Sequence, residues 1–297
     1  MNLADILQQS CHRLEAAPLA YGHGTTNARD EAIWLVLWQL GLPLDTDVDA
    51  LAHRPVSEEE RKAVDALIQR RIDTREPAAY LTQEAWLQGV SFHVDRRTIV
   101  PRSFIAELLV EGTIDPWLNE ASRDVLDLCT GNGSLAVLVA MAYPEVRVTG
   151  ADISTDALAV ARINVERHGL QDRITLVVSD GLAACPGPWD LILCNPPYVN
   201  AHSMAALPAE YRAEPEIALA GGTDGMDFIR ALLRDAPTHL DPHGVLVLEI
   251  GNEREQFENA FPDLETVWLT TSAGDDQVLL LTHESLLALT LSQAPSP

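Results

Sequence analysis

The first part of the chain carries apolar residues at three- and four-residue spacing, which is the period of an amphipathic helix. Ile33 to Leu40 and Val64 to Ile68 show this pattern most clearly. Gly41-Leu42-Pro43 is typical of a helix end. Ser57-Glu58-Glu59-Glu60 is typical of a helix start, because serine caps free backbone N–H groups. We therefore predict a small helical domain over residues 1–84.

Residues 85–101 have a different character. Val90–Val94 and Thr98–Val100 are rich in β-branched and aromatic residues, and the polar triplet Asp95-Arg96-Arg97 separates them. Two such runs joined by a short turn predict a β-hairpin. We expect this hairpin to link the helical domain to a second domain over residues 102–297.

Beyond Ser122 short apolar segments alternate with segments of helix length, a pattern typical of an α/β fold with a parallel sheet. The last two segments are joined by Ser272–Asp276, which is too short for a parallel crossover, so they should pair antiparallel. The pattern therefore predicts a Rossmann-like domain with a seven-stranded mixed sheet. The predicted strands are Val125–Leu128, Val146–Ala151, Ile174–Val178, Leu191–Cys194, Val245–Ile250, Glu265–Thr270 and Gln277–Thr282.

A glycine-rich loop follows the first of these strands. Gly131 and Gly133 allow the backbone to turn sharply and to approach a ligand before the next helix begins. Asp152 ends the second strand, where a carboxylate can accept hydrogen bonds from both hydroxyls of a ribose. Gly131-x-Gly133-x-x-Ala136 also fits the dinucleotide pattern of dehydrogenases. Asp127 favours S-adenosyl-L-methionine instead, because an acid suits its cationic amino-acid end and would repel a pyrophosphate.

Asp180 and Gly181 follow the third strand. From this position a side chain and the adjacent backbone can hold the edge of an adenine. A solvated turn aspartate is the alternative interpretation.

The fourth strand ends in Asn195-Pro196-Pro197-Tyr198. Two consecutive prolines fix the backbone and remove two N–H groups, so the loop is rigid and its carbonyl oxygens are free to accept. If Asn195 and the Pro196 carbonyl each accept one N–H of a planar amide, they orient its nitrogen and stabilise its developing charge. Tyr198 can pack on the planar group. This chemistry applies equally to glutamine and to the exocyclic amino group of adenine or guanine.

Composition narrows these possibilities. The chain has 20 basic and 44 acidic residues, a formal net charge of −24, which repels polyphosphate and can attract a basic protein. Four cysteines without C-x-x-C spacing suggest neither a zinc site nor a disulfide framework, so we expect no metal. No apolar run approaches the roughly 20 residues that span a bilayer, and no secretory signal is visible, so we expect a cytoplasmic protein without membrane contact.

The sequence resembles the HemK family of protein-glutamine N5-methyltransferases. The segments that carry the resemblance are Arg75–Leu81, Ile99–Arg102, Asp127–Gly133, Asn195–Tyr198, Glu214–Leu219 and Gly221–Gly225. The resemblance implies a helical substrate-recognition domain, a hairpin and a class I methyltransferase domain that uses S-adenosyl-L-methionine.

Two segments distinguish branches of this family. Release-factor enzymes usually continue the Pro-Arg element with Pro-Glu-Thr-Glu, whereas this chain has Ser103-Phe104-Ile105-Ala106 after Arg102. Together with Glu249-Ile250-Gly251-Asn252, this segment resembles the branch that methylates large-subunit ribosomal protein L-three. A basic ribosomal protein is therefore the expected substrate, and a release factor is the alternative.

The resemblance also implies roles for individual residues. Asn195, Pro196 and Tyr198 are expected to act in catalysis, and Pro197 and Arg102 to contact the substrate with them. Glu107 is a further candidate for support of the site, and structural pairing is the alternative role of Arg102. The residues expected to contact the cofactor are Asp127, Cys129, Thr130, Gly131, Asn132, Gly133, Asp152, Asp180, Gly181 and Asn195.

Two other functions are compatible with the pattern. A nucleic-acid amino-methyltransferase is the first, but it ordinarily needs a basic track for phosphates, and the net charge opposes direct nucleic-acid binding. A catalytically silent cofactor-binding module is the second, and the intact Asn195–Tyr198 loop argues against it.

Overall fold

The computed structural model describes residues 1–293. Its N-terminal part contains the helices expected from the apolar spacing. Ser57 and Glu60 form a reciprocal capping box at the start of the third helix, and the second helix ends before Gly41, so both predicted helix boundaries are confirmed. The helices of this part are α1 (Leu3–Glu15), α2 (Ala28–Gln39), α3 (Glu58–Thr74) and α4 (Ala78–Thr82).

A two-stranded antiparallel hairpin follows, built from β1 (Glu84–Leu87) and β2 (Val90–His93). The hairpin was correctly expected, but the predicted pairing of Val90–Val94 with Thr98–Val100 was wrong. The turn lies at Gln88-Gly89, whose positive φ angles of 49° and 75° suit a tight two-residue hairpin. Residues 98–100 form no strand, and Thr98 and Ile99 line a cavity described below instead.

A seven-stranded mixed sheet forms the body of the molecule, as predicted. Its strands lie in the order β5-β4-β3-β6-β7-β9-β8, with the first five parallel and β9 antiparallel to both of its neighbours. They are β3 (Asp124–Leu128), β4 (Arg147–Asp152), β5 (Ile174–Val178), β6 (Trp189–Cys194), β7 (Leu240–Glu249), β8 (Val267–Thr271) and β9 (Gly274–Thr282).

Two boundaries differ from the prediction. β7 begins at Leu240 rather than Val245, because Leu240 pairs with Trp189 across an irregularity in the register. β9 begins at Gly274, which pairs with Thr271, so the last turn is shorter than the predicted Ser272–Asp276 connection.

Alternate residues of the central strands enter two separate cores, as the two-residue period of a strand requires. Leu191 and Leu193 of β6 belong to the core that includes α5, α6 and α7, whereas Ile192 belongs to the core that includes α9, α10 and α11. Helices therefore cover both faces of the sheet. They are α5 (Ile105–Val110), α6 (Ser134–Ala142), α7 (Thr155–Arg167), α8 (Ala201–Ala206), α9 (Asp227–Asp235), α10 (Arg254–Ala260) and α11 (His283–Gln293). Within residues 1–293 no helix is both long and apolar enough to cross a membrane.

The segment of residues 207–220, which we call the β6–β7 segment, is anchored to the N-terminal helices by a buried carboxylate. Glu210 accepts hydrogen bonds from Arg75 Nε at 3.0 Å and from the Ala20 N–H at 3.1 Å. It also contacts Arg71 at 3.4 Å, and Arg71 pairs with Glu31 at 2.8 Å. Arg71 is 1% exposed, so these carboxylates replace its lost hydration.

We predict that Glu210→Ala lowers the free energy of unfolding by about 3 kcal/mol, because it removes one of the two carboxylates that pair with the buried Arg71 guanidinium. Urea denaturation followed by circular dichroism measures this. Glu258→Ala is the matched control, since it removes a solvent-exposed ion pair with Arg254 and should cost under about 1 kcal/mol. Equal losses in the two variants would contradict a stabilising role for Glu210.

Candidate functional site

A cavity of about 260 Å³ lies at the carboxyl ends of β3, β4, β5 and β6, where ligands bind in open α/β sheets. Each of these strands contributes a loop to its wall. The described residues that line it are Arg97, Thr98, Ile99, Leu128, Cys129, Gly131, Ala151, Asp152, Ile153, Ser154, Ala157, Ser179, Asp180, Gly181, Asn195, Pro197, Pro215, Ile217, Ala218, Ala220 and Phe228.

The loop of residues 129–133 between β3 and α6, which we call the cofactor loop, adopts the left-handed backbone conformation three times. Cys129 has φ 60°, Gly131 has φ 55° and Gly133 has φ 79°. Gly133 also lies close to α7, since a Cβ there would be 3.1 Å from the Cβ of Ala161. Glycine is the residue that adopts this conformation without strain, which explains the use of glycine at two of the three positions. Cys129 adopts it at a small conformational cost.

Asp152 connects β4 to the cofactor loop. Its Oδ2 accepts the Gly131 N–H at 2.9 Å, and its Oδ1 accepts the Ser154 N–H at 2.8 Å. Burial raises the pKa of this carboxyl, and the two backbone donors oppose that effect. Each carboxylate oxygen keeps a further lone pair, so the side chain can accept two hydroxyl donors from the cavity.

Asp127 lies beneath the cofactor loop rather than on the cavity wall. Its Oδ2 accepts from the Thr130 hydroxyl and from the Ala136 N–H at 2.9 Å, so it shapes the loop and the first turn of α6. Its Oδ1 is buried and has no hydrogen-bond partner among the described residues. The structure therefore does not place Asp127 in the cavity wall, and its contact with the cationic end of S-adenosyl-L-methionine stays a prediction.

Some residues of the cofactor loop line the cavity, and the others hold the loop backbone in place. Thr130 is buried, its hydroxyl donates to Asp127, and its N–H bonds the Ala151 carbonyl at 3.0 Å. Asn132 is also buried, and its Oδ1 accepts the Ser134 N–H at 3.2 Å. Thr130, Asn132 and Gly133 therefore support the loop, whereas Cys129 and Gly131 line the cavity.

Asp180 and Gly181 lie on the opposite wall of the cavity. Asp180 is exposed to solvent, and Gly181 adopts φ 53°. The Ser179 N–H bonds the Asp152 carbonyl at 3.0 Å, which fixes this loop against the end of β4. The structure therefore brings Asp152, Asp180 and Gly181 together around one cavity, as the spacing predicted.

Asn195-Pro196-Pro197-Tyr198 leaves the buried end of β6. Asn195 and Pro197 line the cavity, whereas Pro196 and Tyr198 do not. Among the described residues the Asn195 side chain makes no hydrogen bond, and no described donor bonds the Pro196 carbonyl. The Asn195 side chain is therefore an uncommitted acceptor in the cavity wall, whereas Pro196 is buried and lies outside that wall.

Tyr198 packs against the turn after β7. A Cβ on Gly251 would lie 2.5 Å from the ring carbon Cε2 of Tyr198, so only glycine leaves room for this ring position. Burial raises the pKa of the Tyr198 phenol, and the nearby Glu249 carboxylate adds to this effect. The phenol is therefore neutral and serves as a packing surface and hydrogen-bond donor.

The two segments that distinguish family branches meet each other. Ser103 Oγ donates to Glu249 Oε2 at 2.6 Å, and the Phe104 N–H donates to the same oxygen at 2.9 Å. Burial raises the pKa of Glu249 to about 7. The residue pairs lie 145 and 146 positions apart in the chain, so spacing alone does not predict their contact.

Arg102 supports the cavity wall and does not line it. Its guanidinium binds both oxygens of Glu214 at 2.7 Å, and the Val100 N–H donates to Glu214 at 2.9 Å. This is the structural pairing that was the alternative interpretation of Arg102. Glu214 immediately precedes Pro215 in the wall, so the pair fixes the β6–β7 segment to the linker.

Glu107, by contrast, lies elsewhere. Its carboxylate accepts from Ser272 N at 2.8 Å and Ser272 Oγ at 2.6 Å in the β8–β9 turn. The expectation that Glu107 supports the site is wrong, because α5 directs this side chain to the β8–β9 turn and not to the cavity.

Several wall residues were not predicted. Thr98 and Ile99 from the linker and Ile217 and Phe228 from beyond Tyr198 line the cavity. Ile99 and Ile217 lie in segments that resemble the HemK family, and this resemblance is the signal in the sequence that could have predicted them as wall residues. Ile217 is an apolar wall residue that is 60% exposed.

We predict that the free energy of unfolding falls between about pH 4 and pH 7, in part because Asp127 ionises in the unfolded state before it does so in the folded state. Burial raises its pKa from 3.8 to about 7. The folded state therefore keeps a proton that the unfolded state loses above about pH 4, and this stabilisation disappears as pH rises through 7.

Asp127→Asn preserves an acceptor for Thr130 and Ala136 and cannot ionise. Its stability should fall less between pH 5 and pH 8 than that of the unmodified chain, by about 2 kcal/mol. Urea denaturation at the two pH values measures the difference. Identical pH dependence in both proteins would show that Asp127 ionises normally.

Two family models match the chain. The PrmC N-terminal domain matches residues 5–82, and the methyltransferase small domain matches residues 106–210. The first covers the helical part, and the second covers β3 to β6 and the cavity-lining loops that follow these four strands.

Three relatives resemble this chain over nearly its whole length. They come from Bordetella pertussis, Burkholderia pseudomallei and Neisseria gonorrhoeae, and each is named ribosomal protein uL3 glutamine methyltransferase. Their identities are 55%, 50% and 48%, and each match covers 96% of this chain and 95–96% of the relative. A solved structure, the hMettl16 catalytic domain in complex with a MAT2A 3′UTR hairpin, superposes with a TM-score of 0.53. It is 14% identical and covers 76% of this chain and 82% of that chain, which shows a shared fold alone.

Proposed function

Because this chain belongs to the family of ribosomal protein uL3 glutamine methyltransferases, we propose that it transfers a methyl group from S-adenosyl-L-methionine to a glutamine side-chain nitrogen of uL3. The observation that carries the proposal is the uncommitted Asn195 side chain in the cavity wall, followed in the chain by a Pro196 carbonyl that no described backbone donor bonds. A glutamine amide has two N–H donors to match them.

The residues around the cavity fit this cofactor. Asp152 offers two acceptor oxygens for the ribose hydroxyls, and the Asp180-Gly181 loop faces the same space for an adenine. The cofactor supplies an activated methyl group on a sulfonium sulfur.

The protein's own contribution is orientation and electrostatics. An amide nitrogen is a poor nucleophile, because its lone pair is delocalised into the carbonyl. Asn195 Oδ1 and the Pro196 carbonyl each accept one N–H, which directs the nitrogen toward the methyl group and stabilises the positive charge that it gains. Tyr198, held by Gly251, packs against the planar amide.

The charge of the chain favours a basic protein as substrate. A net charge of −24 attracts a basic ribosomal protein and opposes a phosphate backbone. We further propose that the N-terminal helical domain over residues 1–84 recognises the substrate and that the reaction takes place in the cytoplasm. The four cysteines are free thiols, as is usual in a reducing compartment.

We predict that Asn195→Ala reduces turnover about 100-fold, because loss of one positioned acceptor has this order of effect. Cofactor affinity should change far less, since Asp152 and the cofactor loop remain. Methyl transfer from labelled S-adenosyl-L-methionine and isothermal titration calorimetry measure the two quantities. Near-normal turnover would refute the assigned role.

The proposed substrate is tested with uL3 purified from cells that lack this enzyme. Mass spectrometry should locate one methyl group on a glutamine, and uL3 with that glutamine changed to glutamate should accept none, since a carboxylate has no N–H to donate. Transfer to uL3 should slow as salt increases, whereas transfer to a small amide should not. A release factor serves as the comparison substrate. Faster methylation of the release factor or of RNA would overturn the proposal.

A further inference from the structure

Asn164 lies on α7, outside the cavity, and is fully buried at 0% exposure. Its amide nitrogen Nδ2 donates to the Asn132 carbonyl of the cofactor loop at 2.8 Å. The same nitrogen donates to the His93 carbonyl of the hairpin at 2.9 Å, and Oδ1 accepts the His93 N–H at 2.7 Å. One side chain therefore bridges two segments that lie 71 and 32 positions away from it.

Both segments lead directly to the cavity. The cofactor loop contributes Cys129 and Gly131, and the chain after His93 contributes residues 97–99 to the facing wall. α7 also approaches the loop at Ala161, one turn before Asn164. A single buried amide thus connects two segments that each continue into the cavity wall.

We propose that Asn164 is a positioning residue for the cofactor loop, holding its Asn132 carbonyl at a fixed distance from the hairpin so that the loop keeps its ligand-binding shape. The proposal rests on the function proposed above, because it takes S-adenosyl-L-methionine as the ligand of that loop. Asn164 reaches no cavity atom itself and acts through the Asn132 backbone.

Asn164→Ala removes all three hydrogen bonds and leaves two buried carbonyls without this donor. Asn164→Asp keeps the acceptor for the His93 N–H but places a carboxylate oxygen against both carbonyls. We expect either change to raise the Kd for S-adenosyl-L-methionine about tenfold or more, as loss of a buried hydrogen bond implies. Calorimetry at a temperature well below each variant's thermal midpoint measures the Kd.

His168→Ala provides a matched control at the C-terminal cap of the same helix. His168 Nε2 bonds the Ser91 carbonyl at 2.9 Å, and its ring packs on Phe92 at 5.5 Å, so this variant loosens the hairpin without touching the cofactor loop. It should destabilise the protein while leaving the Kd within about twofold, since no loop contact is lost.

Separate effects on KM and kcat distinguish a positioning role of Asn164 from a general loss of folded enzyme. In the Asn164 variants the KM for S-adenosyl-L-methionine should rise, whereas kcat at saturating cofactor and the KM for uL3 should stay near normal. If Asn164→Ala does not fold, Asn164→Ser, which retains one donor, takes its place. Folded Asn164 variants that bind as tightly as the unmodified chain would overturn this inference. Failure of the unmodified chain to bind the cofactor would refute the proposed function instead.

Discussion

The buried ion pairs of Glu210 and Glu214 are the constraint on which the cavity depends. Glu210 binds Arg71 and Arg75 from the N-terminal part, and Glu214 binds Arg102 directly after the linker. Both carboxylates have fully buried side chains, so a misplaced β6–β7 segment would leave charges without water or a partner. Burial acts against the ionised form of Glu214, yet Arg102 lowers its pKa to about 2, which keeps the pair charged at physiological pH.

This constraint explains how parts that are distant in sequence form one site. The cofactor loop and the Asn195–Tyr198 loop are fixed by the sheet, because both follow directly from neighbouring strands β3 and β6. The wall formed by residues 215–220 lies outside the strands of the sheet, and it is held by the two glutamates at its start and by a backbone bridge between Val199 and Ala220 at its end. The loops at the carboxyl edge of the sheet thus carry the candidate functional residues, and the ion pairs help to hold the wall that encloses the cavity.

The sequence predicted what depends on local periodicity and missed what depends on long-range contacts. All seven strands of the sheet followed from apolar patterning, and Asp152 and Asn195 followed from their positions at strand ends. The hairpin register was missed because the polar Asp95-Arg96-Arg97 triplet resembles a turn, whereas the tight turn requires Gly89. Spacing gives no information on which carboxylate meets Arg71, since Glu31 and Glu210 lie 40 and 139 positions from it.

The separation of Arg71 and Glu210 along the chain also has a consequence for synthesis. Arg71 emerges from the ribosome 139 residues before Glu210, so the nascent helices contain a buried guanidinium whose one available carboxylate is Glu31. Domains generally fold in order from the N-terminus during translation. The Arg71 guanidinium of the helical part therefore gains its second carboxylate, Glu210, after β6 and the loop that follows it have been synthesised.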